Sequence, residues 1–364
     1  MSEAKTATPQ RRRWRSMLWS MLAILALSVA LPSISYVMAQ TEPARQQTTF
    51  GDREENPRST MWRKARESQA GFTVQSGPYV TNTFINNTGE NWRQFRMGPL
   101  QKYGGWFLAL VPLLIALFFV IFGRVKLVDG RAGETILRWK LYERILHWFV
   151  AISFILLAIT GLSLLFGRTV LIPVFGKEGF AGWAQLAMNI HNYLGPAFSI
   201  GLLIMIVLWA RDNIPTRTDW VWFKQGGGIV GDKHPSAGKM NGGEKAWFWG
   251  GVFALGIAVS VSGFVLDFPL WGQSRTDMSF AQGVHSIAAI LWMGLFLGHV
   301  YIGTLGTEGA FEGMATGRVD VNWAKQHHDL WYEDEIAKGN LPEPADRSSA
   351  TPSASGAGVR QPSH

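Results

Sequence analysis

No cysteine occurs in the 364 residues. The chain therefore cannot bind an iron–sulfur cluster, attach a c-type haem or run thiol chemistry with its own side chains. Any redox centre must hang on histidine or methionine. Charge is scarce too: Asp, Glu, Lys and Arg make up 16% of the chain, against roughly 25% in soluble domains. Five apolar runs hold no Asp, Glu, Lys or Arg at all. A proton-coupled transporter would want a carboxylate inside such a run, so its absence turns attention to histidine.

What the chain does have is apolar length. The five runs cover about 106–122, 145–166, 191–210, 246–266 and 285–305. Each is long enough to cross roughly 30 Å of hydrocarbon at 1.5 Å per residue. Pro112 sits inside the first, and membrane helices tolerate proline where neighbours satisfy the freed backbone. The net charge of +8 does not indicate nucleic acid, because the basic residues crowd short loops beside the runs. Arg124, Lys126, Arg131, Arg138, Lys140 and Arg144 lie between the first two runs, and Arg211, Arg217, Lys224, Lys233, Lys239 and Lys245 between the third and fourth. The alternate loops hold only Arg168, Lys177 and Arg275. Positive-inside bias then puts the basic loops and the C-terminus in the cytoplasm.

The N-terminus agrees. Arg11, Arg12, Arg13 and Arg15 precede an apolar stretch and the small-residue end Val37-Met38-Ala39, the layout of a secretory signal; an uncleaved signal anchor is the alternative. The expected organisation is a signal sequence over 1–39, an exported polar segment over 40–104 and an extra transmembrane helix over 105–124. A four-helix core with a cytoplasmic extension follows over 135–336, and a Ser/Pro/Ala/Gly-rich tail read as disordered over 337–364. The fold class is all-α integral membrane: a four-helix transmembrane bundle plus one N-terminal helix after the signal.

Haem enters through the histidines. His234, His327, His328 and His364 fall in loops or the tail, whereas His147, His191, His285 and His299 fall in or at the edges of the runs. Alone, a histidine at a helix end is more often interfacial than a ligand, and the Gly294/Gly298 GxxxG pair is more often helix packing than a cofactor cradle. Spacing changes the weight. His285 and His299 are 14 residues apart, about 21 Å along a helix and within roughly 40° of the same face. That is too far to share a metal and right for two stacked cofactors. The topology puts His191 and His285 near the outer face, and His147 and His299 near the inner one. Each pair supplies two imidazoles from different helices, which suits six-coordinate haem b.

Several stretches carry a family resemblance. They are Tyr142–Trp148 (YERILHW), Ile190–Gly195 (IHNYLG), Lys239–Lys245 (KMNGGEK), Gly283–His285, His299–Tyr301, Gly313–Arg318 and Trp323–Tyr332 (WAKQHHDLWY). Over roughly 135–336 the chain resembles the gamma, or cytochrome b, subunit of membrane-bound formate dehydrogenase. Hydrogenase b-type cytochromes share the paired histidines, but the KxNxG and WAKxHH stretches favour formate dehydrogenase. The resemblance implies two haems b on the four histidines and a quinone site built from Asn241, Gly243 and His299. It implies as partners an iron–sulfur beta subunit and a molybdenum or tungsten alpha subunit, the latter carrying formate oxidation. The plainer reading of Asn241 and Gly242-Gly243 is a helix cap and turn. The segment before the core departs from the short members of the family, as longer members do. A hydrogenase or other molybdoenzyme partner is the first alternative; a non-haem anchor or transporter is the second.

Overall fold

The computed structural model describes residues 71–72, 83–85, 87–228, 234–269 and 273–345. The expected signal sequence and most of the exported segment lie outside them. Five helices are long and apolar enough to cross a membrane. These are α1 (Gly89–Phe122), α2 (Leu141–Val170), α3 (Ile172–Trp209), α5 (Gly242–Asp267) and α6 (Arg275–Gly306). Shorter helices are α4 (Arg217–Lys224), α7 (Ala310–Thr316), α8 (Val321–His327) and α9 (Asp329–Ala337). Strands β1 (Gly71–Phe72) and β2 (Thr83–Ile85) pair with each other. Strands β3 (Glu134–Leu137), β4 (Arg318–Asp320) and β5 (Glu343–Pro344) form an antiparallel sheet of order β4-β3-β5.

The chain divides into two compact units. The first gathers the described residues up to Gly123 together with those of Leu146–Arg211 and Ala246–Tyr301. Its interior is aromatic: Phe154 and Phe198 pack on Trp292 with ring centroids 4.8 and 5.8 Å apart. Its outer faces are apolar and open, with Leu113 63% and Val120 78% exposed, as lipid-facing positions require. Helix α1 is tied in by close approach. A Cβ built on Gly104 would stand 2.7 Å from Ile290 Cδ1, and one on Gly294 2.5 Å from the Phe107 ring. A side chain at either position would force its neighbour to shift.

Two helices begin before their apolar runs. Helical structure leading into α1 begins at Asn87, where the sequence suggests a loose polar segment, because its polar side chains find partners. Glu90 and Arg93 pair one turn apart. Arg96 donates to the Leu164 carbonyl (2.8 Å), and Gln101 to that of Leu165 (2.6 Å). Helix α3 starts at Ile172, and Gly176 at φ 70° breaks its regularity. His191 therefore sits well inside α3 and not at its edge.

The second unit gathers the described residues of Arg124–Ile145 and Asp212–Lys245 and those from Ile302 to 345. Strand β3 pairs Ile136 with Val319 and Thr135 with Glu343. Leu127, Ile136, Val319, Trp323, Ala324 and Trp331 form the core beneath it. Gly317, at φ 93°, turns the chain from α7 into β4, and its carbonyl accepts from the N–H groups of Arg138 and Trp139. The Arg138 guanidinium lies 4.9 Å from the Trp323 ring and donates to Glu244 (3.0 Å) and the Lys239 carbonyl (2.8 Å). Asp219 caps α4 through Thr216 and pairs with Lys245 at 2.8 Å; burial pushes its carboxyl up, but the Lys245 ammonium and two Thr216 hydrogen bonds together hold it below the usual range. Where the sequence suggested a disordered tail from residue 337, β5 continues the fold. Glu343 and Pro344 pair with β3, and Ala345 N–H donates to Gly133. Residues 346–364 lie outside the described part.

Candidate cofactor site

All four core histidines belong to the first unit. His191 of α3 faces His285 of α6 with ring centroids 6.0 Å apart, and His147 of α2 faces His299 of α6 at 6.2 Å. Two imidazoles on opposite sides of one metal, each nitrogen about 2.0–2.1 Å from it, bring their centroids to about 6 Å. Each pair has that separation. Among the described residues no group of three or more His, Asp or Glu gathers as a metal site; what the two pairs offer is two imidazoles each.

The neighbours orient the rings. His191 Nδ1 lies 2.9 Å from Thr160 Oγ1, whose own hydrogen is donated to the Leu156 carbonyl. His285 Nδ1–H donates to the Val259 carbonyl at 3.1 Å, with Ser262 Oγ at 3.3 Å. A proton held on Nδ1 leaves Nε2 with its lone pair free for a metal. Beside each hydroxyl is a glycine. A Cβ on Gly161 would meet His191 Cε1 at 3.3 Å, and one on Gly263 would meet His285 Cε1 at 3.3 Å. Thr160-Gly161 on α2 and Ser262-Gly263 on α5 thus do the same two things, one for each ring. A hydroxyl–glycine dipeptide in an apolar helix is the sequence signal that would have found them.

His191 and His285 line a cavity of about 440 Å³ together with Gly161, Gly195, Gly263 and Trp292. A Cβ on Gly195 would meet nothing within 4 Å, so the space reaches its backbone. At the other pair, His147 Nδ1 is buried without a hydrogen-bond partner among the described residues. His299 stacks on Trp247 with centroids 4.8 Å apart and planes 6° from parallel. Trp247 opens a π-helical stretch, Trp247–Leu255, a backbone irregularity frequent at functional sites. At the His191/His285 pair the imidazole spacing, the held Nδ1 protons and the open cavity fit a planar macrocycle; at the His147/His299 pair the fit rests on the imidazole spacing.

Asn241 and Gly243 stand at the start of α5 in the second unit. Asn241 Oδ1 accepts from Glu244 N–H at 2.9 Å, and Asn241 N–H donates to Glu244 Oε2 at 2.8 Å. That reciprocal cap is the plainer of the two expectations for these residues. A Cβ on Gly243 would stand 2.9 Å from the Trp222 ring. His234, His327 and His328 also belong to the second unit. His328 is 1% exposed and donates from Nδ1 to the Gly238 carbonyl at 2.7 Å.

Comparison with known proteins gives one family. The profile of prokaryotic cytochrome b561 matches residues 138–317. The chain is 30% identical over 208 residues to the nitrate-inducible formate dehydrogenase cytochrome b556(Fdn) subunit of Escherichia coli, covering 56% of this chain and 92% of that protein. It is 32% identical over 205 residues to the formate dehydrogenase cytochrome b556(fdo) subunit of the same species, covering 55% and 93%. With the formate dehydrogenase cytochrome b556 subunit of Haemophilus influenzae it shares 29% over 214 residues, covering 55% and 84%.

Proposed function

The chain belongs to the family of formate dehydrogenase cytochrome b subunits, and on that premise we propose that it anchors a formate dehydrogenase in the bacterial inner membrane and links it electrically to quinone. It is a membrane cytochrome b. His191 and His285 would hold one haem b, and His147 and His299 a second. When bound, these groups supply reversible one-electron chemistry.

The chain's own residues do the rest. Thr160 and the Val259 carbonyl hold the Nδ1 protons and so aim Nε2 of His191 and His285. The apolar helices keep water from both sites. The 14-residue interval on α6 sets the sites about 21 Å apart, most of the membrane's thickness. In this reading the His191/His285 end is the outer one and residues 40–104 are periplasmic. The C-terminus is cytoplasmic, following the basic loops. An iron–sulfur subunit delivers electrons at the outer end, and a molybdenum or tungsten subunit oxidises formate. Quinone is reduced at the inner end, with Asn241, Gly243 and His299 as its binding residues. Because Asn241 Oδ1 is committed to its cap, the amide N–H₂ is the group left to donate to a quinone carbonyl.

The observation that carries this reading is the pair of imidazole pairs with ring centroids 6.0 and 6.2 Å apart. Its test is the reduced-minus-oxidised spectrum and haem-to-protein ratio of the purified chain, beside His285→Ala and His299→Ala. About two haems b per chain, with each variant losing a different one, is expected. A colourless protein, or variants that keep both haems, would sink it.

A further inference from the structure

The cavity beside His191 and His285 is not closed by the family core alone. Trp92 and Arg96 of α1 line it, and both precede residue 138, where the family match begins. Arg96 is the single Lys or Arg among the described residues lining that cavity. It lies in the π-helical stretch Arg96–Leu100, which interrupts α1 where the helix reaches the end of α2. One of its N–H groups donates to the Leu164 carbonyl at 2.8 Å. That bond fixes the guanidinium at the cavity while leaving other donors of its fork. No carboxylate among the described residues pairs with it. A half-buried guanidinium held by a neutral carbonyl still calls for an anion, and its planar fork matches a carboxylate.

We propose that Arg96 binds a propionate carboxylate of the haem held by His191 and His285, so that the helix added before the family core sets the charge of that site. This rests on the haem reading above. Haem b carries two propionates, and burying one in an apolar bundle without a cationic partner is costly. Gln101, which donates to the Leu165 carbonyl, and the Gly104 and Gly294 contacts hold α1 in register for the task. The guanidinium charge also favours the electron-rich state of a nearby centre, and so raises its midpoint potential.

The test is a potentiometric titration of the full-length chain in detergent, comparing wild type, Arg96→Gln and Arg96→Lys, with His285→Ala identifying which spectral component belongs to this site. In Arg96→Gln the reduction equilibrium of that component alone should shift toward the oxidised form by about tenfold, the scale of one unit charge at a partly buried site. Arg96→Lys should stay near wild type. Selective loss of that haem in the Gln variant, with retention in the Lys variant, would support the same assignment. An unshifted component in Arg96→Gln, an equal shift of both haems, or equal loss in both variants would overturn it. Failure of the haem reading shows elsewhere, as a wild-type chain without haem or a His285→Ala variant that loses none.

Discussion

A hydroxyl meets the Nδ1 of His191, and a carbonyl with a hydroxyl behind it meets that of His285. These acceptors fix tautomer and ring angle, and losing one typically costs 10–100-fold in affinity for the bound group. Thr160→Val keeps the side-chain shape and removes the acceptor. It should weaken retention of the His191/His285 haem by about tenfold and leave the other untouched, read as the loss of one spectral component to an apo-globin acceptor. Equal loss of both components, or of neither, would contradict the role given to Thr160. The pairing of the four histidines was legible in the sequence, because the 14-residue interval puts His285 and His299 on one face of one helix and the topology matches each by depth to a histidine on another. Thr160, Gly161, Ser262 and Gly263 were not, since which residue meets a ring depends on the rotation of α2 and α5 about their axes. Of the two expectations for Asn241, the structure shows the capping bonds.

Five apolar runs became five helices, yet their starts were misjudged wherever polar residues found partners. A hydropathy pattern sees the run from Trp106 onward. It does not see that Arg96 and Gln101 end on backbone carbonyls of α2. The packing of α1 on α6 was equally hidden, because it depends on two glycines on different helices. At Gly294, where a Cβ would stand 2.5 Å from the Phe107 ring, leucine must push α1 away. Gly294→Leu should cost about 1–3 kcal/mol, the range for overpacking a tight contact. Gly98→Ala, where a Cβ would meet nothing within 4 Å, should be close to neutral. The thermal midpoint in detergent separates the two, and equal shifts would mean that α1 does not pack as described.

Two units of different character share one chain. The second owes its core to contacts between distant stretches, which no local pattern announces: β3, β4 and β5 carry a few residues each, and β5 falls in a stretch whose composition suggests disorder. Buried His328 and half-buried His327 make it acid-sensitive. Burial, chiefly, with help from the Arg138 charge, pushes His328 down to about 3; burial, the neighbouring His234 and Arg138 push His327 down to about 4. Below about pH 6.5 the unfolded chain takes up these protons and the folded one does not, so folded stability falls as pH falls. The slope is about 1.4 kcal/mol per pH unit for His328 alone, continuing toward pH 3. The thermal midpoint followed by tryptophan fluorescence should drop from pH 7 to pH 5, Trp323 lying 5.0 Å from the His328 ring. His328→Asn should flatten that dependence, and a flat wild-type profile would contradict a neutral buried His328. The sheet of this unit also fixes an order of events during synthesis. Arg318 of β4 bonds to Thr135 of β3 across 183 residues of chain, and four membrane-crossing helices are made between them. At roughly 5–20 residues per second the ribosome needs about 10–40 s to cover that distance. Strand β3 leaves the ribosome with neither neighbour yet made, and its edges wait exposed while the helices insert. A chaperone or the insertion machinery has that interval in which to shield it.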